Sequence, residues 1–193
     1  HRICARMTPE SSTHPPSLPR TLLLAVLGAG LVTLGARASF PAEPVPITLQ
    51  TAAVLTVGGV FGARVGVLAA LLYVGAAAAG LGVLAGGAHL DVTRLGESKS
   101  LGFLVGFAPA AWVASRACPA DGGTPRRSTL PAVGRALAAM LAAHGVILVL
   151  GGGWLALSIG ASAALEHGVL PYMPGALVKS VLAGAVTLAV RRR

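Results

Sequence analysis

Charged residues are scarce in this chain, and acidic residues are the scarcest of them. Only 11% of the 193 residues are charged, six acidic and fifteen basic, whereas a soluble domain carries about 25%. So few charges exclude an ordinary soluble domain. The net charge of +9 is accompanied by only 4% aromatic residues, and these are not interleaved with the basic ones as a base-stacking surface requires. We therefore expect no nucleic-acid partner.

The sequence also lacks the motifs of an enzyme. It has no Ser/His/Asp set, no paired carboxylates, no phosphate-binding loop of the Walker A type and no Cys/His cluster at metal-ligand spacing. We expect neither an active site nor a cofactor or metal, and no ATP hydrolysis by this chain alone. Cys4 and Cys118 fall in segments assigned to the cytoplasm below, where thiols stay reduced, so we expect no disulfide.

What the chain does contain is apolar sequence. Hydrophobic residues make up 54%, the mean hydropathy is +0.78, and the period-2 alternation typical of a membrane barrel is missing. These runs predict an all-α polytopic membrane protein. We place six transmembrane helices at residues 21–36, 47–62, 64–85, 101–117, 130–157 and 172–190. The fifth contains Gly151-Gly152-Gly153, where we expect it to bend or end.

The segments outside the helices predict domain organisation and topology. Residues 1–20 are polar and rich in proline, so we expect a flexible cytoplasmic tail followed by one six-helix membrane domain at 21–193. With the N-terminus inside, ten basic residues lie in inner segments and three in outer ones. Basic residues favour the cytoplasmic side, which predicts that both termini are cytoplasmic. The outer loops at 41–46, 86–100 and 171–175 should then lie together.

Lys179 is a cation within the sixth span. It lies about 10 Å below the start of that helix at 1.5 Å per residue, and an ammonium near the bilayer centre costs at least about 2.5–3.5 kcal/mol. Such a group usually faces a polar cavity and a ligand, although a lysine near a helix end can also reach the interface. The residues alone leave these two interpretations open.

Two further stretches carry polar or flexible groups near the same face. Thr48 and Gln50 follow a proline-rich entry to the second span; they can serve a ligand or merely cap a helix. The glycine-rich exit of the third span, ending at Gly87, permits close backbone approach to a ligand or a plain turn.

Two features inside the spans have structural interpretations of their own. His144 has no second ligand candidate at helical spacing, and we interpret it as a core histidine that bonds a neighbouring backbone group. Ala25 and Ala29 place small residues at i and i+4 of the first span, which allows close helix approach within the protein or between subunits.

With these stretches in view, the chain resembles the BioY family, the biotin-specific substrate-binding (S) components of energy-coupling factor (ECF) transporters. The resemblance covers about residues 20–193. Its most specific part is Pro44-Val45-Pro46-Ile47-Thr48-Leu49-Gln50-Thr51, which is similar to the family's signature. Support comes from Gly62-Ala63-Arg64-Val65-Gly66, Gly80-Leu81-Gly82-Val83-Leu84-Ala85-Gly86-Gly87 and Gly102-Phe103-Leu104.

The resemblance implies a protein of the bacterial plasma membrane that captures biotin from outside. Its expected partners are a transmembrane coupling subunit and two ATPase subunits. Lys179 would supply a cation or donor, and Thr48 and Gln50 would shape the pocket entrance. Ala25 and Ala29 resemble the small-residue pair that docks on the coupling subunit. By their place in the family's ligand-binding segments, the further candidate substrate-binding positions are Gly87, Ala88, Lys99 and Ala176.

Some of these positions depart from the family pattern. Ala176 stands where the final helix of the family has an acid three residues before its lysine, Ala88 replaces a residue that is often polar, and Lys99 lies in a segment, 95–100, that is nearly all changed. Alternatives therefore stay open: a degenerate S component for another small vitamin or lipoyl-like acid, or a membrane interaction partner that binds no vitamin.

Overall fold

The computed structural model describes residues 17–117 and 130–191. Most of the predicted tail, together with Cys4 and Cys118, lies outside the described residues. The first helix begins at Leu18, so the last residues assigned to the tail are already helical. The helices are α1 Leu18–Arg37, α2 Gln50–Phe61, α3 Ala63–Ala78, α4 Leu101–Val105, α5 Phe107–Ala114, α6 Leu130–Ile159, α7 Ala161–Gly168 and α8 Met173–Arg191.

The helices form six apolar segments, as predicted. Three are long and apolar enough to cross a membrane: Leu18–Arg37, Leu130–Ile159 and Ala161–Arg191. Three are shorter: Gln50–Phe61, Ala63–Ala78 and Leu101–Ala117. Large aliphatic side chains such as Leu27, Leu34 and Leu182 remain exposed on the outer faces of the bundle. Exposed apolar surface of this extent suits lipid contact. The prediction of an all-α, six-helix membrane protein is confirmed.

A short antiparallel pair of strands precedes α2. The strands are β1 Ser39–Phe40 and β2 Ile47–Thr48, and Ser39 lies opposite Thr48. The predicted second span begins at residue 47, whereas the helix begins at Gln50. Residues 47 and 48 pair with β1 instead of entering the helix, and Pro46 restricts the preceding Val45 to extended geometry as well. Thr48 is thereby held at the end of a strand rather than inside a helix.

The glycine triplet in the fifth span does not end the helix. Of the two predicted outcomes, a bend or an end, the helix end was wrong. Helix α6 continues through Gly151 to Ile159. A Cβ built on Gly151 would overlap the ring of Phe103. The glycine therefore gives Phe103 room to pack against α6. The third span is shorter than predicted, because α3 ends at Ala78 and Gly80 turns with φ of +85°.

The three predicted outer loops do meet at one end of the bundle. The Tyr172 hydroxyl donates to the backbone carbonyl of Val45, and Arg37 Nη2 donates to the carbonyl of Gly82 at 2.8 Å. Glu43 and Gly86 line one surface groove. We call this end of the bundle, formed by residues 39–48, 82–87 and 170–175, the loop end.

Candidate functional site

A partly open cavity of about 60 Å³ lies below the loop end and is lined by residues of that end and of α2, α4, α5, α6 and α8. One part of its wall is apolar and is formed by Phe103, Phe107, Ile147 and Leu148. The rings on this side form two aromatic pairs: Phe103 and Tyr172 have centroids 6.3 Å apart, and Phe107 and Tyr73 have centroids 6.1 Å apart. This wall suits a flat apolar ring or an aliphatic chain.

Lys179 supplies the positive charge of the cavity. It lies on α8, half-buried, and its Nζ donates a hydrogen bond to the backbone carbonyl of Thr48 at 2.6 Å. That carbonyl closes strand β2. The side chain therefore faces the cavity, and of the two interpretations left open by the sequence the structure supports this one. Among the described residues that line the cavity, none is acidic.

Thr48 and Gln50 begin a series of hydrogen bonds. The Thr48 hydroxyl donates to Gln50 Oε1 at 2.9 Å and accepts the Gln50 backbone N–H at 3.3 Å. Gln50 Nε2 donates to the hydroxyl of Tyr73, which donates to the carbonyl of Val83 at 3.1 Å. Both Thr48 and Gln50 are buried and line the cavity. The series joins α2 and α3 to the glycine-rich segment, and it gives Tyr73 a role that sequence reasoning missed.

His144 is a second residue whose place the sequence did not reveal. It is buried on α6, lines the cavity, and its Nδ1 lies 2.8 Å from the hydroxyl oxygen of Ser180. The interpretation of a histidine bonded to a neighbouring backbone group was wrong, because its partner is a side chain on α8. Ser180 directly follows Lys179, but nothing in the sequence spacing connects it with a residue 36 positions earlier.

The other sequence-predicted positions divide between the cavity and the surface. Ala176 is buried and lines the cavity one helical turn before Lys179. Ala88 and Lys99 are exposed and do not line the cavity. Gly87 has φ of +82° and packs close to the Arg37 guanidinium, also away from the cavity. The structure thus brings together Thr48, Gln50, Ala176 and Lys179, and leaves the other three apart.

Helix α1 presents two different faces. Ala25 is fully buried, and a Cβ on neighbouring Gly28 would lie 2.9 Å from that of Ala69 on α3. Ala29 is half-buried, and Gly30 beside it is exposed with open space around it. The small residues at 25 and 28 therefore serve packing within the protein.

The fold and the cavity define a helical membrane protein with a small, partly polar cavity below one end of its helix bundle. The chain belongs to the BioY family, whose sequence model matches residues 7–193.

Individual relatives agree with that membership. The biotin transporter BioY of Rhodobacter capsulatus is 34% identical in an alignment of length 182 that covers 85% of this chain and 88% of the relative. The probable biotin transporter BioY of Pyrococcus horikoshii is 33% identical, covering 87% and 93%. The biotin transporter BioY of Rhizobium etli is 32% identical, covering 88% and 91%. These names describe transporters, in agreement with the expectation that the chain is not an enzyme.

The fold is shared with a solved structure. The crystal structure of the S-component for biotin from an ECF-type ABC transporter superposes with a TM-score of 0.71, covering 91% of this chain and 92% of that one. The two sequences are 19% identical, so this comparison bears on the fold. It confirms the six-helix membrane architecture.

Proposed function

We propose that this chain binds biotin within the membrane and is the substrate-binding component of a biotin uptake system. The observation that carries the proposal is the orientation of Lys179, whose ammonium faces a cavity with one aromatic and aliphatic wall. Biotin combines a polar cyclic urea, an apolar thioether ring, an aliphatic chain and a carboxylate. The cavity offers a cation for a polar group of biotin and apolar rings for its thioether ring and aliphatic chain.

The roles of the individual residues follow from their places. Phe103, Phe107 and Ile147 contact the apolar ring and chain. When the ligand binds, the hydrogen bond from Lys179 to the carbonyl of Thr48 breaks, and Lys179 donates to an oxygen of the ligand instead. Thr48 and Gln50 hold the rim of the cavity in shape, since their side chains are engaged with each other and with Tyr73.

Binding requires the cavity to widen. Its volume is about 60 Å³, whereas pockets for small ligands usually measure about 300–1,000 Å³. Breaking two hydrogen bonds would widen it: the bond from Lys179 to Thr48, and the bond from the Tyr172 hydroxyl to Val45 at the loop end. We therefore propose that the loop end moves outward when biotin enters and closes over it afterwards.

Transport also requires a source of energy outside this chain. We propose that a transmembrane coupling subunit and two ATPase subunits supply it, with docking on α1. Ala25 is buried against the protein interior, so the docking proposal rests on Ala29 and on the exposed residues beside it, Val26 and Gly30. Replacement Gly30→Leu should abolish uptake in cells that carry the coupling subunits and leave biotin binding intact.

A matched replacement, Gly75→Leu, tests whether the position matters. Gly75 is also exposed with open space around it, on α3. We expect the Gly75→Leu variant to take up biotin like the wild type. Equal uptake by both variants would contradict docking at this part of α1.

The ligand is tested directly by equilibrium binding to the purified protein in nanodiscs. Labelled biotin should bind saturably and be displaced by unlabelled biotin but not by lipoate or by other small vitamins at the same concentration. Displacement by lipoate in preference to biotin would support the alternative ligand, for which the alanine at 176 is the motivating observation. No binding by any of these compounds would support a membrane interaction partner without a vitamin.

A further inference from the structure

The imidazole of His144 has one ring nitrogen engaged and the other without a partner. The side chain is 4% exposed, and its Nε2 is buried with no hydrogen-bond partner within the part of the chain that the structure describes. Buried polar atoms are nearly always paired in native proteins, so an unpaired one needs an explanation. Because His144 lines the cavity, a bound molecule can supply the missing partner.

The neighbours of His144 indicate which nitrogen carries the proton. The Ser180 hydroxyl donates to the carbonyl of Met140 at 3.4 Å and lies 2.8 Å from Nδ1 of His144. A hydroxyl has a single proton. Both contacts are satisfied together only when the Ser180 hydroxyl donates to Met140 and its oxygen accepts from Nδ1–H of His144. A neutral imidazole has one donor and one acceptor nitrogen, so Nε2 is left as a bare acceptor.

The cavity therefore offers an acceptor and a donor from neighbouring helices. Lys179 contributes donors only, and the described residues around the cavity include no carboxylate. The Thr51 hydroxyl on α2, which also lines the cavity, is another buried group with no hydrogen-bond partner among residues 17–117 and 130–191. A carboxylate has only acceptor oxygens and would meet the bare Nε2 unfavourably. A cyclic urea has N–H donors directly beside its carbonyl oxygen and fits both groups.

We propose that Nε2 of His144 accepts a hydrogen bond from a urea N–H of the ligand while Lys179 donates to the urea oxygen. The inference rests on the proposed function, because it takes biotin as the ligand. It assigns the direction of binding: the urea ring lies against α6 and α8, and the carboxylate points away from His144. It also makes His144 a residue that selects a ligand with an N–H group at this position.

Nuclear magnetic resonance of the wild-type protein, prepared with isotope-labelled histidine, tests the proposal, and a variant serves only to assign the resonances. The resonances of His144 are assigned by their loss in His144→Gln. We expect a protonated Nδ1 and an unprotonated Nε2 in the free protein, and a shift of the Nε2 resonance when biotin is added. A protonated Nε2, or an Nε2 resonance that biotin does not move, would overturn the assignment.

A binding experiment tests selectivity. Wild-type protein should prefer biotin over biotin methylated on its urea nitrogens by roughly tenfold or more, because the methyl groups remove the donors. In His144→Ala biotin should bind roughly five- to hundredfold more weakly. The ratio of its affinity to that of the methylated compound should then fall close to one. His144→Gln, which keeps an acceptor, should recover part of both. The methyl ester of biotin should lose equal affinity in wild type and His144→Ala.

The outcomes separate the two proposals. If the wild type binds biotin and His144→Ala keeps the full preference over the methylated compound, the role of His144 is wrong and the proposed function stands. If the folded wild type does not bind biotin, both are wrong.

Discussion

Lys179 on the last helix donates a hydrogen bond of 2.6 Å to the backbone carbonyl of Thr48, 131 residues earlier in the chain. The bond connects α8 with the strand that leads into α2. One hydrogen bond to a backbone carbonyl compensates only part of the free-energy cost of removing the ammonium from water. The lysine is thus held in place for a ligand that can offer a further acceptor.

Restoring an acid at position 176 should strengthen biotin binding. Ala176 and Lys179 lie at i and i+3 of α8, both against the cavity, so a carboxylate in Ala176→Asp can pair with the ammonium and accept a donor from the ligand. Hydrogen bonds to charged groups contribute about 1.5–3 kcal/mol. We expect an affinity gain of roughly tenfold in equilibrium binding. Identical affinities in the two proteins would show that this position does not matter for biotin.

Tyr73→Phe should destabilise the protein more than Tyr172→Phe. The Tyr73 hydroxyl accepts from buried Gln50 and donates to Val83, so its loss leaves the amide of Gln50 unpaired. An unsatisfied buried group costs about 1–3 kcal/mol. Tyr172 is only half-buried, and its hydroxyl makes one bond, to Val45. Thermal unfolding in one detergent compares the variants, and a lower midpoint for Tyr172→Phe would contradict the hydrogen-bond series described here.

The two glycines at 151 and 153 should respond differently to alanine. A methyl group at Gly151 would overlap the ring of Phe103, whereas Gly153 has open space around it. Overpacking a tight contact costs about 1–3 kcal/mol, and replacing an open helical glycine gains roughly 0.5–1 kcal/mol. Gly151→Ala should lower the unfolding midpoint and weaken biotin binding through Phe103. Gly153→Ala should do neither, and equal effects would refute the close packing of α4 on α6.

Much of the fold was predictable from sequence, and the reasons are local. Six apolar runs were long enough to be recognised, and the cost of the Lys179 ammonium in lipid made a cavity around it one of two interpretations. The proline pair before Ile47 also indicated a rigid entry, though not a strand. The limits of these predictions appear wherever one segment meets a distant one.

Distant contacts explain what the sequence did not reveal. The bond between His144 and Ser180 depends on how α6 packs on α8, and no periodicity within either helix predicts it. A glycine triplet is typical of a helix bend or end. The actual role of Gly151, packing against Phe103, was not predictable because Phe103 lies 48 residues earlier in the sequence. Ala88 and Lys99 were predicted at the site from their place in the family's ligand-binding segments, but both lie exposed and away from the cavity.

The most direct test of the account is the affinity of biotin for Lys179→Met in nanodiscs, measured beside the wild type and Arg94→Gln. Arg94 is exposed and forms an ion pair with Glu97, so its replacement removes the same charge away from the cavity. We predict that Lys179→Met binds biotin roughly ten- to hundredfold more weakly with no loss of thermal stability, since a buried charge is removed. Arg94→Gln should bind like the wild type. Full biotin affinity in a folded Lys179→Met protein would contradict the account.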